Sequence, residues 1–509
     1  MKKLTALLVL LFFVTQLWSQ ESTNDSLLKI LVQDQKTMEP LPYANILFLQ
    51  QQKGTISNES GWFAISLAEL NKGDTLSVQY LGYKTKKISI LELKSLKMID
   101  LEEDLINLSE AWVYGNPPKA KDIIRKVIEN SEKNYTSISA KRQVFIRNRQ
   151  NTDFKDFSSD IKRNSISEID QQQIDRILHK IPKHISSFTD FLGHTYSHQN
   201  SLDSLKISSQ KIVSLKDIEI DELDQFGKIF EAMFKETDEE EYWKVKSGIF
   251  GEKIDMEEET SSDSTEHKID EVNHDNQMNK GGIKWNLKSQ LQYASLKDEK
   301  QWEFLYKTGK YKYELVGGTK VNGEDVFIID FKPSGGGKFV GRVYVSTSTY
   351  ALIKADYKYA DGKDGRDIQL LGIGYHENKY RTSIYYEKIG ESYQLKYLSH
   401  SQAIGMSFNR KVALIKKKKR WLIDKTLLEL KVKLNIDVET EEITELLFLS
   451  NDAIPSEDFV KFEEPEWMDV IYVDHFSDDL WKGYPIIEPT KKMREYQKQE
   501  VNWSELGGE

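Results

Sequence analysis

Glycine-punctuated turns between short alternating strands constrain the first part of this chain more than any other feature. Between about Leu27 and Tyr114, apolar and polar residues alternate with the period of half-buried β-strands. The turn Asn58-Glu59-Ser60-Gly61 interrupts the alternation, and its glycine can adopt positive φ at no steric cost. The alternating apolar positions are Leu28, Ile30 and Val32, then Ala44, Ile46 and Phe48, then Leu76, Val78 and Tyr80. Strands at this spacing predict an all-β sandwich.

The N-terminus has the three parts of a secretory signal peptide. Met1-Lys2-Lys3 is basic, Leu4 to Leu17 is almost continuously apolar, and Trp18-Ser19-Gln20 leads into polar residues. The apolar run is shorter than the ~20 residues that span a bilayer. We therefore predict a signal peptide at residues 1–20, with an uncleaved membrane anchor as the alternative. No cysteine follows the run, so we expect an exported protein of the periplasm or outer membrane without a lipid on its N-terminus.

The composition excludes several kinds of function. The absence of cysteine rules out disulfides, zinc–thiolate sites, iron–sulfur clusters and thiol catalysis. A net charge of −10 with 30% charged residues predicts an acidic surface and argues against a nucleic-acid partner. No later segment has the length and hydropathy of a transmembrane helix, so we expect none in the mature chain. A chain of 509 residues is long enough for two or three domains.

Residues 28–114 resemble the carboxypeptidase-regulatory-like (transthyretin-like) domain of envelope proteins and of the N-termini of TonB-dependent receptors. The stretches that carry the resemblance are Asp34, Pro40 to Ile46, Gly54-Thr55, Gly61-Trp62-Phe63 and Tyr80-Leu81-Gly82-Tyr83. The structural motif residues that it implies are Gly54, Asn58, Gly61, Phe63, Gly82 and Tyr83. Two positions depart from the pattern, Ile30 where glycine is usual and Asn58 where aspartate is common. The resemblance implies a sandwich domain of residues 27–114 and no peptidase activity of its own.

A proline-rich linker at residues 115–119 separates this domain from the rest of the chain. Ala120 to Glu132 is predicted as a helix, and Leu223 to Phe234 as an amphipathic helix. The order of sandwich, linker and helix is similar to that of exported proteins of unknown function that are called carboxypeptidase-like regulatory domain-containing proteins. An acidic stretch at about 256–280 is interpreted as a mobile insertion in a second domain, residues 120–509.

The strongest β signal of the second domain lies in residues 283–450. The predicted strands include Tyr311–Leu315, Val326–Phe331, Gly341–Val345, Leu352–Tyr357 and Ile384–Lys388. Their order and turns resemble the open, curved antiparallel sheet of LolA-like lipoprotein carriers. A membrane β-barrel is the minority alternative, because most strands carry charges at alternate positions. The predicted fold class is therefore mainly β, a transthyretin-like β-sandwich followed by an α+β domain with a curved antiparallel sheet and a few helices.

Candidate catalytic motifs are weak. His194 and His198 have a spacing that could place both beside a metal, but Thr195, Tyr196 and Ser197 favour a strand or loop with ordinary polar residues. No histidine is followed three residues later by glutamate, which a zinc carboxypeptidase requires, and no Gly-x-Ser-x-Gly elbow occurs. The loop Ser334–Lys338 leads into a strand and not into the helix of a phosphate-binding loop.

Two surface features suggest contacts and not chemistry. The basic run Lys416–Arg420 could contact anionic lipid headgroups, although a solvated strand end or hairpin is the default interpretation. Tyrosine-rich strands between Tyr311 and Tyr397 could line a surface for a lipid or glycan, or could be ordinary sheet faces.

We therefore predict a non-catalytic cell-envelope protein that binds a partner protein, lipid or glycan through the curved sheet. The sandwich would serve as a docking or spacing module. No catalytic residue, cofactor or metal site is assigned, and His194 and His198 are the only weak metal candidates. One alternative is an exported hydrolase with a scattered site near these histidines. Another is a transport component associated with an outer-membrane barrel.

Overall fold

The computed structural model describes most of the chain from Leu27 to Gln497. The described residues are 27–51, 53–66, 70–71, 73–104, 118–136, 139–167, 169–198, 204–215, 240–247, 250–254, 276–321, 324–484 and 486–497. The predicted signal peptide, the predicted helix Leu223–Phe234 and residues 256–275 of the predicted insertion lie outside these ranges, as do residues 115–117 of the linker.

The chain divides into two compact units. One lies within Met1–Asp104 and Asp478–Thr490, and the other within Leu105–Ser477 and Lys491–Glu509. The sequence patterns did not predict that Asp478–Thr490 belongs to the first unit. The domain limits of 27–114 and 120–509 stay a prediction.

The first unit is a seven-stranded sandwich. Its elements are β1 (Leu27–Asp34), β2 (Asn45–Phe48), β3 (Lys53–Ile56), β4 (Trp62–Ser66), β5 (Thr75–Gln79), β6 (Lys86–Ser89), helix α1 (Ile90–Leu93) and β7 (Met98–Leu101). One sheet has the order β4-β1-β7, with β1 and β7 parallel, and the other has the order β3-β2-β5-β6. Alternate residues of both sheets form one core, in which Ile30, Ile46 and Val78 are fully buried. The predicted sandwich is confirmed, and Ile30 contributes a core side chain where the family usually has glycine.

The second unit is dominated by one 15-stranded sheet. The strands before the insertion are β8 (Ala140–Asn164), β9 (His184–Ser197), β10 (Lys206–Leu215), β11 (Glu241–Ser247) and β12 (Phe250–Ile254). The next strands are β13 (Gln277–Asn279), β14 (Tyr311–Val321), β15 (Glu324–Pro333), β16 (Phe339–Ser346), β17 (Leu352–Tyr359), β18 (Asp367–Leu370) and β19 (Ile373–Ile389). The last are β20 (Ser392–Lys418), β21 (Lys425–Phe448), β22 (Asp452–Ala453), β23 (Trp467–Asp469) and β24 (Ile471–Val473).

The order of the large sheet places the longest strands at its centre. It reads β14-β15-β16-β17-β19-β20-β21-β8-β9-β10-β24, with β11 on β20, β12 on β11, β18 on β19 and β22 on β8. The other two strands, β13 and β23, pair with each other as a separate two-stranded sheet. Strands β8, β20 and β21 contain 25, 27 and 24 residues, far more than the roughly 5–6 residues of an average strand. One end of these strands packs in the interior of the unit, and the other extends as a ribbon whose faces are only partly covered.

Short helices flank the sheet. They are α2 (Ala120–Glu129), α3 (Ser131–Asn134), α4 (Gln171–Lys180), α5 (Lys280–Ala294), α6 (Glu303–Tyr306), α7 (Ser456–Lys461) and α8 (Lys491–Arg494). Helix α2 agrees with the helix predicted from Ala120, and it buries Ile123, Ile124 and Val127. Within the described ranges, no helix has the length and apolar character that crossing a membrane requires.

The structure adds a helix that the sequence patterns did not predict. Residues 280–294 form helix α5 at the start of the region with the strong β signal, and the first strand named in that region begins at Tyr311 as predicted. The side chain of Asn279 accepts a hydrogen bond from the backbone N–H of Gly281, which caps the helix at its start. Residues 277–280, which fell within the predicted insertion, form β13 and the first residue of α5.

Candidate functional site

A band of apolar side chains crosses five neighbouring strands of the large sheet. Residues that pair directly across antiparallel strands point to the same face, as do residues two apart on one strand. On β20 these residues are Met406 and Phe408, and Met406 pairs with Tyr375 of β19 and with Val438 of β21. The band, which we call the apolar stripe, consists of Phe154, Phe157, Ile368, Leu370, Ile373, Tyr375, Met406, Phe408, Ile436 and Val438.

Much of the apolar stripe is exposed. Ile368, Leu370, Ile373 and Met406 are 52%, 65%, 44% and 52% exposed, whereas the remaining members are half-buried. Single exposed apolar residues are common on protein surfaces, but neighbouring ones in register form a contiguous patch. These side chains therefore contribute little to the protein's own core and remain available for contact.

The opposite face of the same strands is polar. Between and beside the stripe positions, β20 presents Ser407 and Asn409 to that face, and β21 presents Asn435 and Asp437. The carboxylate of Asp156 on β8 accepts a hydrogen bond from Asn435 Nδ2 at 2.9 Å. The ribbon is thus amphipathic, with one face suited to water and the other suited to burial against a second layer.

Helix α5 covers the stripe's own face towards the interior end of the strands. Thr382, His400 and Asn148 lie in register there, and Tyr293 of α5 places its hydroxyl 2.7 Å from Thr382 Oγ1. The rings of Tyr293 and His400 are 4.4 Å apart. Burial lowers the pKa of His400 to about 4, so this histidine is neutral at physiological pH. These polar residues lie at the limit of the section of the face that helix α5 covers.

A second small core covers the face beyond the stripe. Ile161 of β8 and Val432 of β21 pair on the same face and pack with Ile166, Ile169 and Leu430, and Ile174 of α4 joins them. The apolar stripe therefore lies between two sections of one sheet face, each of which the protein covers with its own helix or loop.

The turn at the edge of the stripe holds a strained leucine. Leu371 has φ +50° and Gly372 has φ +82° in the turn between β18 and β19, a conformation that favours asparagine or glycine. Leu371 is also 58% exposed. A left-handed conformation costs a residue with a side chain about 1–2 kcal/mol. The turn therefore presents additional apolar surface at a cost in stability.

The structure places His194 in β9 and His198 directly after the end of that strand, and gives each an ordinary environment. His198 Nδ1 lies 2.8 Å from Ser139 Oγ, and its ring stacks 5.4 Å from Phe459. Burial and the nearby Lys141 lower the pKa of His194. Among the described residues, no group of three histidine, aspartate or glutamate side chains could hold a metal ion. The hydrolase alternative gains no support from this arrangement.

The structural motif residues of the sandwich stabilise its turns. Asn58 Oδ1 accepts hydrogen bonds from the backbone N–H groups of Ser60 and Trp62 at 2.9 and 3.0 Å, and Gly61 has φ +78°. Asn58 Nδ2 also donates to the carbonyl of Glu488 at 3.0 Å. Aspartate, which is common in the family at this position, could not donate that bond. Asparagine at position 58 therefore helps to hold the segment Asp478–Thr490 within the first unit.

The remaining motif residues shape the core and a second turn. A side chain at Gly54 would meet the carbonyl oxygen of Ile46, and Phe63 is fully buried. Gly82 has φ +89°, and the adjacent Tyr83 donates a hydrogen bond from its hydroxyl to Asp34 Oδ2 at 2.7 Å. These are structural roles, consistent with a domain that supplies shape and not chemistry.

A buried charged cluster that the sequence analysis missed lies at the interior end of the long strands. Arg147 Nε and Nη2 donate to the two carboxylate oxygens of Asp190 at 2.9 and 2.7 Å, and Arg149 Nη2 lies 3.4 Å from Glu445 Oε2. All four side chains are at most 2% exposed. Two positive and two negative charges balance, so the cluster is a structural element of the sheet.

Comparison with known proteins identifies the first unit and little else. Residues 31–113 match the family model of the CarboxypepD_reg-like domain. No curated protein matches the chain. The solved structures to which it is similar include the complex of MucA and MucB from Pseudomonas aeruginosa, at 8% identity and a TM-score of 0.18, covering 64% of this chain and 93% of the other.

A LolA superfamily protein from Nitrosomonas europaea is also similar, at 9% identity and a TM-score of 0.16, covering 68% of this chain and 99% of the other. TM-scores this low support no argument about ligands or partners. The sequence match is the firm result, and residues 31–113 are a carboxypeptidase-regulatory-like domain.

Proposed function

We propose that this chain is a non-catalytic cell-envelope protein that binds a partner protein through the apolar stripe. The carboxypeptidase-regulatory-like domain would act as a docking or spacing module. The observation that supports the proposal is the exposure of Ile368, Leu370, Ile373 and Met406 on one face of an amphipathic ribbon. An amphipathic sheet is stable when a second layer covers its apolar face, and a partner would supply that layer over the stripe.

The shape of the stripe favours a protein partner over a small ligand. Small-molecule sites are concave and usually bury roughly 70–90% of the ligand. The stripe instead follows an open sheet face across five strands, a width of about 19 Å at ~4.8 Å between neighbouring strands. An amphipathic helix of about 13 residues has the same length. We therefore expect an amphipathic segment to lie across the strands with its apolar side on the stripe.

A charge placed on the stripe tests this proposal. In Met406→Glu, a half-exposed side chain acquires a charge that a partner would have to bury without a counter-ion, which costs several kcal/mol of binding. Asn409→Glu is the matched control, because Asn409 is exposed on the opposite face of the same strand. Native mass spectrometry of each exported protein, purified gently from its own envelope, reports what remains bound.

The proposal predicts that the wild-type chain and Asn409→Glu retain the same partner and that Met406→Glu loses it. Far-UV circular dichroism should show equal folding of the three proteins, since both positions are at the surface. A partner that Met406→Glu retains would contradict the proposal. A bound lipid in place of a protein would assign the stripe to a different class of ligand and would also overturn it.

A further inference from the structure

The tip of the β20–β21 hairpin exposes three consecutive large apolar side chains. Trp421, Leu422 and Ile423 are 92%, 74% and 82% exposed. Hairpin turns normally carry small or polar residues, and exposed runs of three apolar residues are avoided unless they serve a function. Because these side chains are so exposed, they add almost nothing to the stability of the fold. They form the most exposed group of large apolar residues at consecutive positions in the described ranges.

Basic residues surround the apolar tip. Lys417, Lys418, Lys419 and Arg420 precede it and Lys425 follows it. Among the described residues, the acidic ones at this end of the hairpin are Asp424, Glu240 and Glu241, and Glu241 pairs with Lys416. With the pair Lys416–Glu241 set aside, five positive charges stand against two negative charges among the described residues. This is a local excess of positive charge in a chain whose net charge is −10. The charge of the tip is therefore opposite in sign to that of the whole protein.

Lys416 belongs to the structure of the hairpin and not to this basic group. It is buried, its Nζ lies 3.0 Å from Glu241 Oε2, and it is 5.9 Å from the ring centre of Trp243. Strand β11, which carries both partners, pairs with β20 up to Lys418. Strand β11 therefore supports the hairpin almost to its end, and the tip projects beyond this three-stranded part of the sheet.

We propose that the tip, residues 417–425, docks on an anionic lipid surface. Trp421, Leu422 and Ile423 enter the interfacial region, and the lysines and arginine behind them contact the headgroups. When the tip is inserted, the outermost apolar residues lie deepest in the interface, and the basic residues behind them lie at the level of the headgroups. Tryptophan is favoured at this interface, and lysine stems can extend back to the headgroups. The positive charge complements anionic lipids.

This docking is independent of the function proposed for the apolar stripe. Phe408 lies ten residues before Lys418 on β20, which places the stripe about 34 Å along the strand from the base of the tip. Interfacial segments bury only about 5–10 Å of their depth in the membrane. A docked tip therefore leaves the stripe in water, where it can still meet a partner.

A fluorophore at the tip can test the proposal directly, because the natural chain contains no cysteine. The exported chain carrying Ile423→Cys is labelled with an environment-sensitive dye and mixed with vesicles of phosphatidylcholine alone or with about 30% phosphatidylglycerol. The control is Glu391→Cys, an exposed turn position at the other end of β20. The tip label should shift to shorter wavelength with the anionic vesicles and should be quenched by a lipid-borne quencher, and the control label should not.

Two further variants separate the apolar and the charged contributions. Trp421→Ser with Leu422→Ser should lower vesicle affinity at least tenfold, because both interfacial side chains are removed. Lys417→Gln with Lys419→Gln should lower it about fivefold for each lysine, and high salt should do the same in the wild-type chain. The surface position of all four residues leaves the fold intact, which circular dichroism checks. Absence of binding to anionic vesicles, equal shifts of both labels, or binding that survives the serine pair would overturn the proposal.

Discussion

The buried pair Arg147–Asp190 allows a quantitative test of how the large sheet is stabilised. The two residues face each other across β8 and β9, and their side chains are 1% and 0% exposed. Asp190→Asn preserves the shape of the side chain but removes the charge that neutralises Arg147. A buried ion pair that loses one partner typically destabilises a protein by about 3–5 kcal/mol, because the remaining charge stays buried. We expect a loss of that size in the free energy of unfolding.

Urea denaturation followed by far-UV circular dichroism measures this loss, since the signal is dominated by the 15-stranded sheet. The control is Asp153→Asn, which removes an exposed carboxylate paired with His184 at 2.6 Å on the same two strands. Exposed pairs contribute about 1 kcal/mol or less, so the control should unfold close to the wild type.

The double variant Arg147→Met with Asp190→Leu separates the cost of an unpaired charge from the value of the pair. Replacing both partners of a buried ion pair by apolar residues is often neutral. We therefore expect the double variant to recover most of the stability lost in Asp190→Asn. The reasoning is refuted if Asp190→Asn unfolds within ~1 kcal/mol of the wild type, or if the double variant is as unstable as the single one.

Two pH-dependent effects follow from other buried groups. Burial holds the pKa of His400 at about 4, below its ordinary 6.5, so the stability that the neutral ring provides is complete above pH 6.5 and is lost as the pH falls towards 4. The free energy of unfolding should decrease by about 3 kcal/mol over this range. The urea midpoint of His400→Gln should fall less than that of the wild type between pH 6.5 and 4. Equal falls of the two midpoints would contradict the role assigned to His400. Hydrogen bonds led by the Thr37 backbone N–H, with the Tyr83 hydroxyl next, lower the pKa of Asp34 to about 2 from 3.8. Tyr83→Phe should therefore destabilise the first unit by about 1.5–3 kcal/mol at neutral pH. Hydrogen exchange of peptides from this unit should show that the difference in stability between variant and wild type shrinks as the pH falls from 3.8 towards 2. A difference that persists at pH 2 would count against the role of this hydrogen bond.

The sandwich could be predicted from the sequence because its signals are local. Short strands with strict alternation, such as Leu28 to Val32, encode their own burial, and turns such as Asn58 to Gly61 need particular residues. The strands from Tyr311 to Tyr357 were predicted for the same reason, and their positions are confirmed.

The long strands were harder to predict, because β-bulges interrupt the regular alternation of side chains between the two faces of the sheet. The register between β21 and β8 shifts between Asp437 and Val438, so Phe154 and Phe157 lie on one face although they are three residues apart. Helix α5 was not predicted for two reasons. Two glycines follow its first residue, and the large apolar Trp285 is 70% exposed, so the sequence does not show a helix with one apolar side.

The candidate surfaces depend on information that a single strand does not contain. The apolar stripe exists only because the register brings pairs of residues from five strands together, and none of those pairs is unusual in the sequence. The basic run Lys416–Arg420 was noticed, and the expected hairpin is present. The importance of Trp421 to Ile423 became clear only from their exposure. Lys416 was grouped with the surface lysines, but it is buried against Glu241.

Site-specific photo-crosslinking in living cells tests the proposed partner-binding role most directly. A benzophenone amino acid replaces Met406 on the apolar stripe, or Asn409 on the opposite face of the same strand, and crosslinked products are identified by mass spectrometry. The account predicts one protein partner that is captured from position 406 and not from position 409. Equal capture from both positions, or capture of lipid alone at position 406, would contradict it.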